Sequence, residues 1–120
     1  MEEERHVSVV IYVHPEAEER PEVLEITYGM EEEGIPYVLK SHREEDLMTL
    51  ARLATMESRL DVGIGVNKAL SAGICYDKLP EEMLLFPENL LREGARARTL
   101  GKNAARLVKG IPFEIGGDAT

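Results

Sequence analysis

The sequence predicts an α/β domain in which helices cover a mixed, mainly parallel β-sheet. Three observations carry that prediction. HVSVVIYVH, residues 6–14, is β-branched and almost continuously apolar, the pattern of a strand buried on both faces. Segments with helical spacing then alternate with short strand-like runs. Finally, two period-two stretches at 62–66 and 69–77 flank a short turn, so the later part of the sheet doubles back on itself.

Pro15 and the polar residues after it end the first strand. Val23, Ile26, Thr27 and Met30 follow helical spacing, with Leu24 and Tyr28 widening the apolar surface, which predicts a helix over 21–33 with Gly34 as its C-cap. A second strand is expected over 36–40. Ser41 and Glu44 have the spacing of a capping box opening a helix that turns Leu47, Leu50, Ala51 and Ala54 to the core and leaves Arg43, Glu44 and Glu45 in water. In DVGIGVN, Val62, Ile64 and Val66 alternate with Gly63 and Gly65, whose missing side chains permit close packing on one face. Asn67 and Lys68 supply a turn. An antiparallel strand over 69–77 follows, then a short strand at MLLF, 83–86. The last element expected is a helix over 88–110, interrupted or restarted near Gly101.

The 120 residues suit one domain spanning 1–120, with flexible ends at 1–5 and 114–120, and 43% apolar with 31% charged residues is a globular composition. No apolar run approaches the roughly 20 residues of a membrane span, and Met1 precedes three glutamates rather than a basic and apolar leader, so a cytoplasmic protein without a membrane partner is expected. Cys75 is the single cysteine, which rules out an internal disulfide and fits a buried small residue. The net charge of −9 lies in the first sixty residues. That balance excludes the broad basic surface of a nucleic-acid binder, even though the 88–110 segment is locally basic.

Two charged patterns stand out. Glu31, Glu32 and Glu33 sit just before Gly34 and Pro36, at the negative end of the helix dipole, where carboxylates are disfavoured by a few tenths of a kcal/mol each. In the last helix Leu100, Ala104 and Leu107 share one face, while Lys102, Arg106 and Lys109 repeat the same spacing on the opposite one. A solvated acidic helix end and a solvated basic back are the simplest readings, and a docking face is the alternative. Gly101 and Lys102 do not make a phosphate loop, because the preceding glycine is too distant and Asn103 replaces the magnesium-binding hydroxyl. The GIG at 63–65 lacks the third glycine of a dinucleotide site. His6, His14 and His42 form no local metal motif, although His14 and His42 share one edge of the predicted sheet. No nucleophile with its base can be assembled, so no catalytic residue is assigned.

EEEGIPY at 31–37 and GKNAARLVKGIPF at 101–113, with DVGIGV and ICYDKLP between them in the same order, resemble the small subunits of diol and glycerol dehydratase-reactivating factors, within the dehydratase medium-subunit family. The likeness covers most of residues 7–113. It implies a three-layer α/β/α domain acting as a non-catalytic subunit that holds no cofactor of its own. Its partner is a large chaperone-like ATPase subunit carrying Mg and ATP or ADP. Such factors restore adenosylcobalamin-dependent dehydratases by releasing damaged cobalamin: the small subunit is exchanged for the like-folded medium subunit, which gives transient contact with the dehydratase large subunit. By motif position Glu32 reaches across the subunit interface toward the magnesium site, while Glu31, Glu33, Lys102, Arg106 and Lys109 are expected at that interface. A hard cation suits carboxylate oxygens and would relieve Glu32 of the helix dipole. A medium-type subunit of the dehydratase itself is the runner-up, and a stand-alone domain binding a small molecule at the carboxyl edge of the sheet is a third reading. An exposed partner-binding face would also allow self-association when the partner is missing.

Overall fold

The computed structural model describes residues 6–93 and 95–115, and the ends at 1–5 and 116–120 fall outside the described residues. The elements are β1 (Val9–Val13), a short 3-10 turn at Pro15–Ala17, α1 (Pro21–Glu32), β2 (Tyr37–Ser41), α2 (Leu47–Glu57), β3 (Val62–Val66), β4 (Ser71–Tyr76), β5 (Leu85–Asn89) and α3 (Ala97–Lys109). They build one five-stranded sheet in the order β2-β1-β3-β4-β5. β1 pairs in parallel with both β2 and β3, while β4 runs antiparallel to β3 and β5, so four strands point one way and β4 alone points back. This is the mixed α/β sheet expected from the sequence.

Strand alternation assigns the layers. Val9, Ile11 and Val13 of β1, with Val62, Ile64 and Val66 of β3, turn to one face and form the main core with Val23, Ile26 and Met30 of α1 and Leu100 and Ala104 of α3. The opposite face is flattened by Gly63 and Gly65, and there α2 lies almost on the backbone. A Cβ on Gly63 would stand 2.4 Å from the amide nitrogen of Thr55, and one on Gly65 would stand 2.9 Å from that of Ala51. A similar close approach joins the two helices of the first layer: a Cβ on Gly101 would meet the Ile26 carbonyl oxygen at 2.0 Å, and one on Gly29 would meet that of Arg98 at 2.1 Å. Gly101 therefore marks the crossing of α1 and α3, not an interruption, and α3 is continuous through it.

Three local expectations are corrected. Ser41 does not open α2, because the parallel ladder with β1 extends to it and its hydroxyl donates to Glu18. Asp46 caps the helix instead, its carboxylate accepting the Thr49 amide at 3.0 Å. The last strand lies at Leu85–Asn89 rather than 83–86, since β4 offers a ladder to Leu85, Glu88 and Asn89 and Pro87 is tolerated on an edge strand. Those pairings remove Glu88 and Asn89 from the expected helix, which starts at Ala97. Beyond α3, Glu114 is tied through its backbone amide and carbonyl to the buried side chain of Asn103, at 2.6 and 2.9 Å.

Candidate subunit interface

The acidic end of α1 and the basic stripe of α3 meet each other. Gly34 adopts the left-handed conformation, φ 75°, and the Ile35 amide reaches back to the Met30 carbonyl at 3.4 Å, closing α1 as the glycine predicts. The Gly29 and Gly101 contact sets α3 beside this end, so the cations of α3 fall on the carboxylates. Glu33 receives Arg106 at 3.0 Å and Lys109 at 2.8 Å, and its side chain is only 11% exposed. Lys109 also donates to the Glu33 backbone carbonyl at 2.9 Å, which satisfies one of the acceptors a helix leaves open at its C-terminus. Hydrogen bonding from Lys109 holds the Glu33 carboxyl below its ordinary pKa against the opposing effect of desolvation, with Arg106 assisting. The dipole that should repel these carboxylates is thus offset by a neighbouring helix.

Glu32 is held differently. Its Oε2 accepts Arg98 Nη1 at 2.9 Å, whereas Oε1 is 3.7 Å from Lys102 Nζ, beyond hydrogen-bonding distance. Lys102 turns to Glu114 at 2.7 Å, an attachment that raises the Lys102 pKa and lowers that of Glu114. The Glu32 side chain is 42% exposed. Glu31 stands apart and accepts the Tyr37 hydroxyl at 2.9 Å. Of the six charged residues singled out from the sequence, Glu32, Glu33, Lys102, Arg106 and Lys109 meet where α1 packs on α3, whereas Glu31 turns to β2, and in this chain each has a partner of its own. Among the described residues no three His, Cys, Asp or Glu side chains converge to hold a metal ion.

Two constellations escaped the sequence reading. Arg98 grips Glu25 through Nε at 2.8 Å, Glu32 through Nη1, and the face of Tyr28 at 5.4 Å, so three positions of α1 spaced three and four residues apart share one guanidinium. Its place four residues before Lys102 was the available signal. On the α2 side Glu57, 10% exposed, accepts Lys40 at 2.6 Å and the Tyr12 hydroxyl, with His6 at 3.2 Å. Burial and that bond raise the Tyr12 pKa, while Lys40 and Tyr12 hold Glu57 below its ordinary value despite desolvation. These residues come from four separate segments, so no local spacing announces them.

The carboxyl edge of the sheet is internally occupied. His14, buried at the end of β1, accepts the Glu16 amide at 3.1 Å through Nδ1, and His42 does the same for Glu44. Asn67 accepts the Ser71 amide at 3.0 Å. These groups brace turns, and Cys75 is buried in β4.

Comparison with known proteins bears on the fold and the family. The family model described as dehydratase medium subunit matches residues 7–114. A propanediol dehydratase-reactivating factor small subunit from Citrobacter freundii is 40% identical over 89 residues, 74% of this chain and 76% of that protein. A diol dehydratase-reactivating factor small subunit from Klebsiella michiganensis is 38% identical over 97 residues, 80% and 77% of the two chains. Among solved structures, the diol dehydratase-reactivating factor complexed with ADP and Mg2+ contains a chain that aligns with a TM-score of 0.80 at 33% identity, covering 92% of this chain and 99% of that one. A glycerol dehydratase reactivase chain aligns with a TM-score of 0.84 at 28% identity, covering 92% and 98%. With nearly its whole length matched in sequence and in fold, the chain belongs to the dehydratase medium-subunit family, beside the small subunits of the reactivating factors.

Proposed function

We propose that this chain is the small, non-catalytic subunit of a cytoplasmic, chaperone-like reactivating factor for an adenosylcobalamin-dependent diol or glycerol dehydratase. It binds a large ATPase subunit, which carries Mg and ATP or ADP. By exchange with the like-folded medium subunit it makes transient contact with the dehydratase large subunit and helps release damaged cobalamin. The observation that carries the reading is the end-to-end likeness to one chain of the diol dehydratase-reactivating factor complexed with ADP and Mg2+, joined to about 40% identity with curated small subunits.

Within that assembly Glu32 is the residue assigned to the partner's cation. Arg98 steadies its Oε2 while Oε1 pairs only loosely with Lys102 at 3.7 Å, so on this reading the partner's cation takes the place of the Lys102 ammonium at that oxygen. Arg106 and Lys109 hold the neighbouring Glu33 in place, and Glu31 and Lys102 lie at the rim. The test is capture from native lysate with and without ATP and Mg, with mass spectrometric identification. Recovery of a large ATPase subunit that departs when dehydratase is added is the expected result. Recovery of dehydratase subunits alone would move the chain into the enzyme, and recovery of neither would overturn the assignment. Glu32→Gln should fold normally yet weaken Mg-dependent association with the large subunit about tenfold, the scale of one charge-assisted contact. Equal affinity with and without Mg would remove that role from Glu32.

A further inference from the structure

The two edges of the sheet differ in a way the fold alone does not require. At β5 the edge is blunted: Pro87 removes one ladder donor, Phe86 takes φ 52°, and the register with β4 breaks between Ala72 and Ile74. These are standard defences against strand addition. β2 carries no proline, and its ladder with β1 is unbroken over all five residues. The Val9 amide donates to the Pro36 carbonyl at 3.0 Å and the His42 amide donates to the Val13 carbonyl at 3.0 Å, so the even-numbered residues of β2 face β1. Tyr37, Leu39 and Ser41 consequently direct their amides and carbonyls outward, and no strand among the described residues lies beyond them. Lys40 does not guard this edge, because its ammonium is drawn to Glu57 under α2.

We infer that the outer edge of β2 is a pairing site for an extended segment of another polypeptide carrying positive charge at its ends. Charge selects the occupant. Tyr37 at one end of the strand is bonded to Glu31, and Ser41 at the other end to Glu18, so a carboxylate flanks each end of the open ladder. A second copy of this chain, pairing antiparallel, would set Glu31 against Glu18 at both ends and repel itself. A strand with lysine or arginine at its ends gains two opposite-charge contacts there. This pairing mode takes its affinity from main-chain hydrogen bonds and its selectivity from the flanking groups.

The inference does not rest on the reactivase reading, and its test uses this chain alone. The probe is a short peptide of alternating valine and threonine closed by lysine at each end, with a glutamate-ended peptide as control, and the readout is residue-resolved amide hydrogen exchange. The lysine-ended peptide should slow exchange at Tyr37, Leu39 and Ser41 by about tenfold or more at saturation, with little change at Val38 and Lys40. Reversing the end charges with Glu18→Lys and Glu31→Lys, both surface changes, should weaken that peptide about fivefold and favour the glutamate-ended one. No protection of the three outward amides, or equal protection by both peptides, overturns the inference. So does protection that rises with protein concentration in the absence of peptide, which would name a second copy as the occupant.

Discussion

Glu33 shows how a single side chain reports its surroundings. Its carboxyl is held below the ordinary range by Lys109 and Arg106, so the folded state binds its proton less readily than the unfolded chain does. The associated stability is present above the unfolded value and is lost as pH falls below about 4.3 and through the lowered folded value. Two long, partly exposed cations form much of the cover on this carboxylate, so its contribution is modest. Glu33→Gln should cost about 1 kcal/mol at neutral pH and flatten the acid side of the stability profile, measured by urea unfolding across pH. Ser8 tests the reverse. Its hydroxyl is buried, and no partner for it exists among the described residues. Ser8→Ala should therefore raise stability by about 1 kcal/mol by removing an unsatisfied polar group, and a loss of stability would reveal a partner.

Among the elements, α1 and α3 depend most on what their residues lack. Alanine is the better helix former by about 1 kcal/mol, so propensity alone makes Gly101→Ala stabilising. The crossing reverses that sign, because the new methyl would sit 2.0 Å from the Ile26 carbonyl oxygen and force the helices apart. Gly101→Ala should cost about 2 to 4 kcal/mol in chemical denaturation. A neutral result would mean that the two helices lie farther apart than this. Their separation also fixes the ion pairs: with α3 displaced, Arg98 and Arg106 could not meet Glu32 and Glu33. The glycines were visible in the sequence at Gly29 and Gly101, yet nothing local said that they face each other. β5 illustrates a different override. The run from Glu88 reads as helical, but β4 has an open edge and its ladder claims Leu85–Asn89.

At the scale of the whole molecule, charge governs association. The protein carries −9, concentrated in the first half, while the cations of α3 are engaged with the carboxylates of α1 and the C-terminal arm. Two copies approaching through their acidic surfaces repel each other, and the repulsion is longest-ranged at low salt. The isolated chain should sediment as a monomer of 13.4 kDa at low ionic strength. A stable dimer under those conditions would show a self-complementary surface that charge does not predict.

Periodicity and punctuation by themselves determined the α/β class, the place of β1, α1, β3 and the closing glycine of α1, because these depend on burial patterns and backbone preferences within a few residues. The single cysteine excluded an internal disulfide, and the signature segments at 31–37 and 101–113 pointed to the family. Only the tertiary structure decided that these two segments touch, that Arg98 joins Glu25, Tyr28 and Glu32, and that Tyr12, Lys40 and Glu57 form one network. Such contacts join residues far apart in the chain, and their geometry is set by how closely two glycine-bearing backbones approach, a distance that no local spacing encodes.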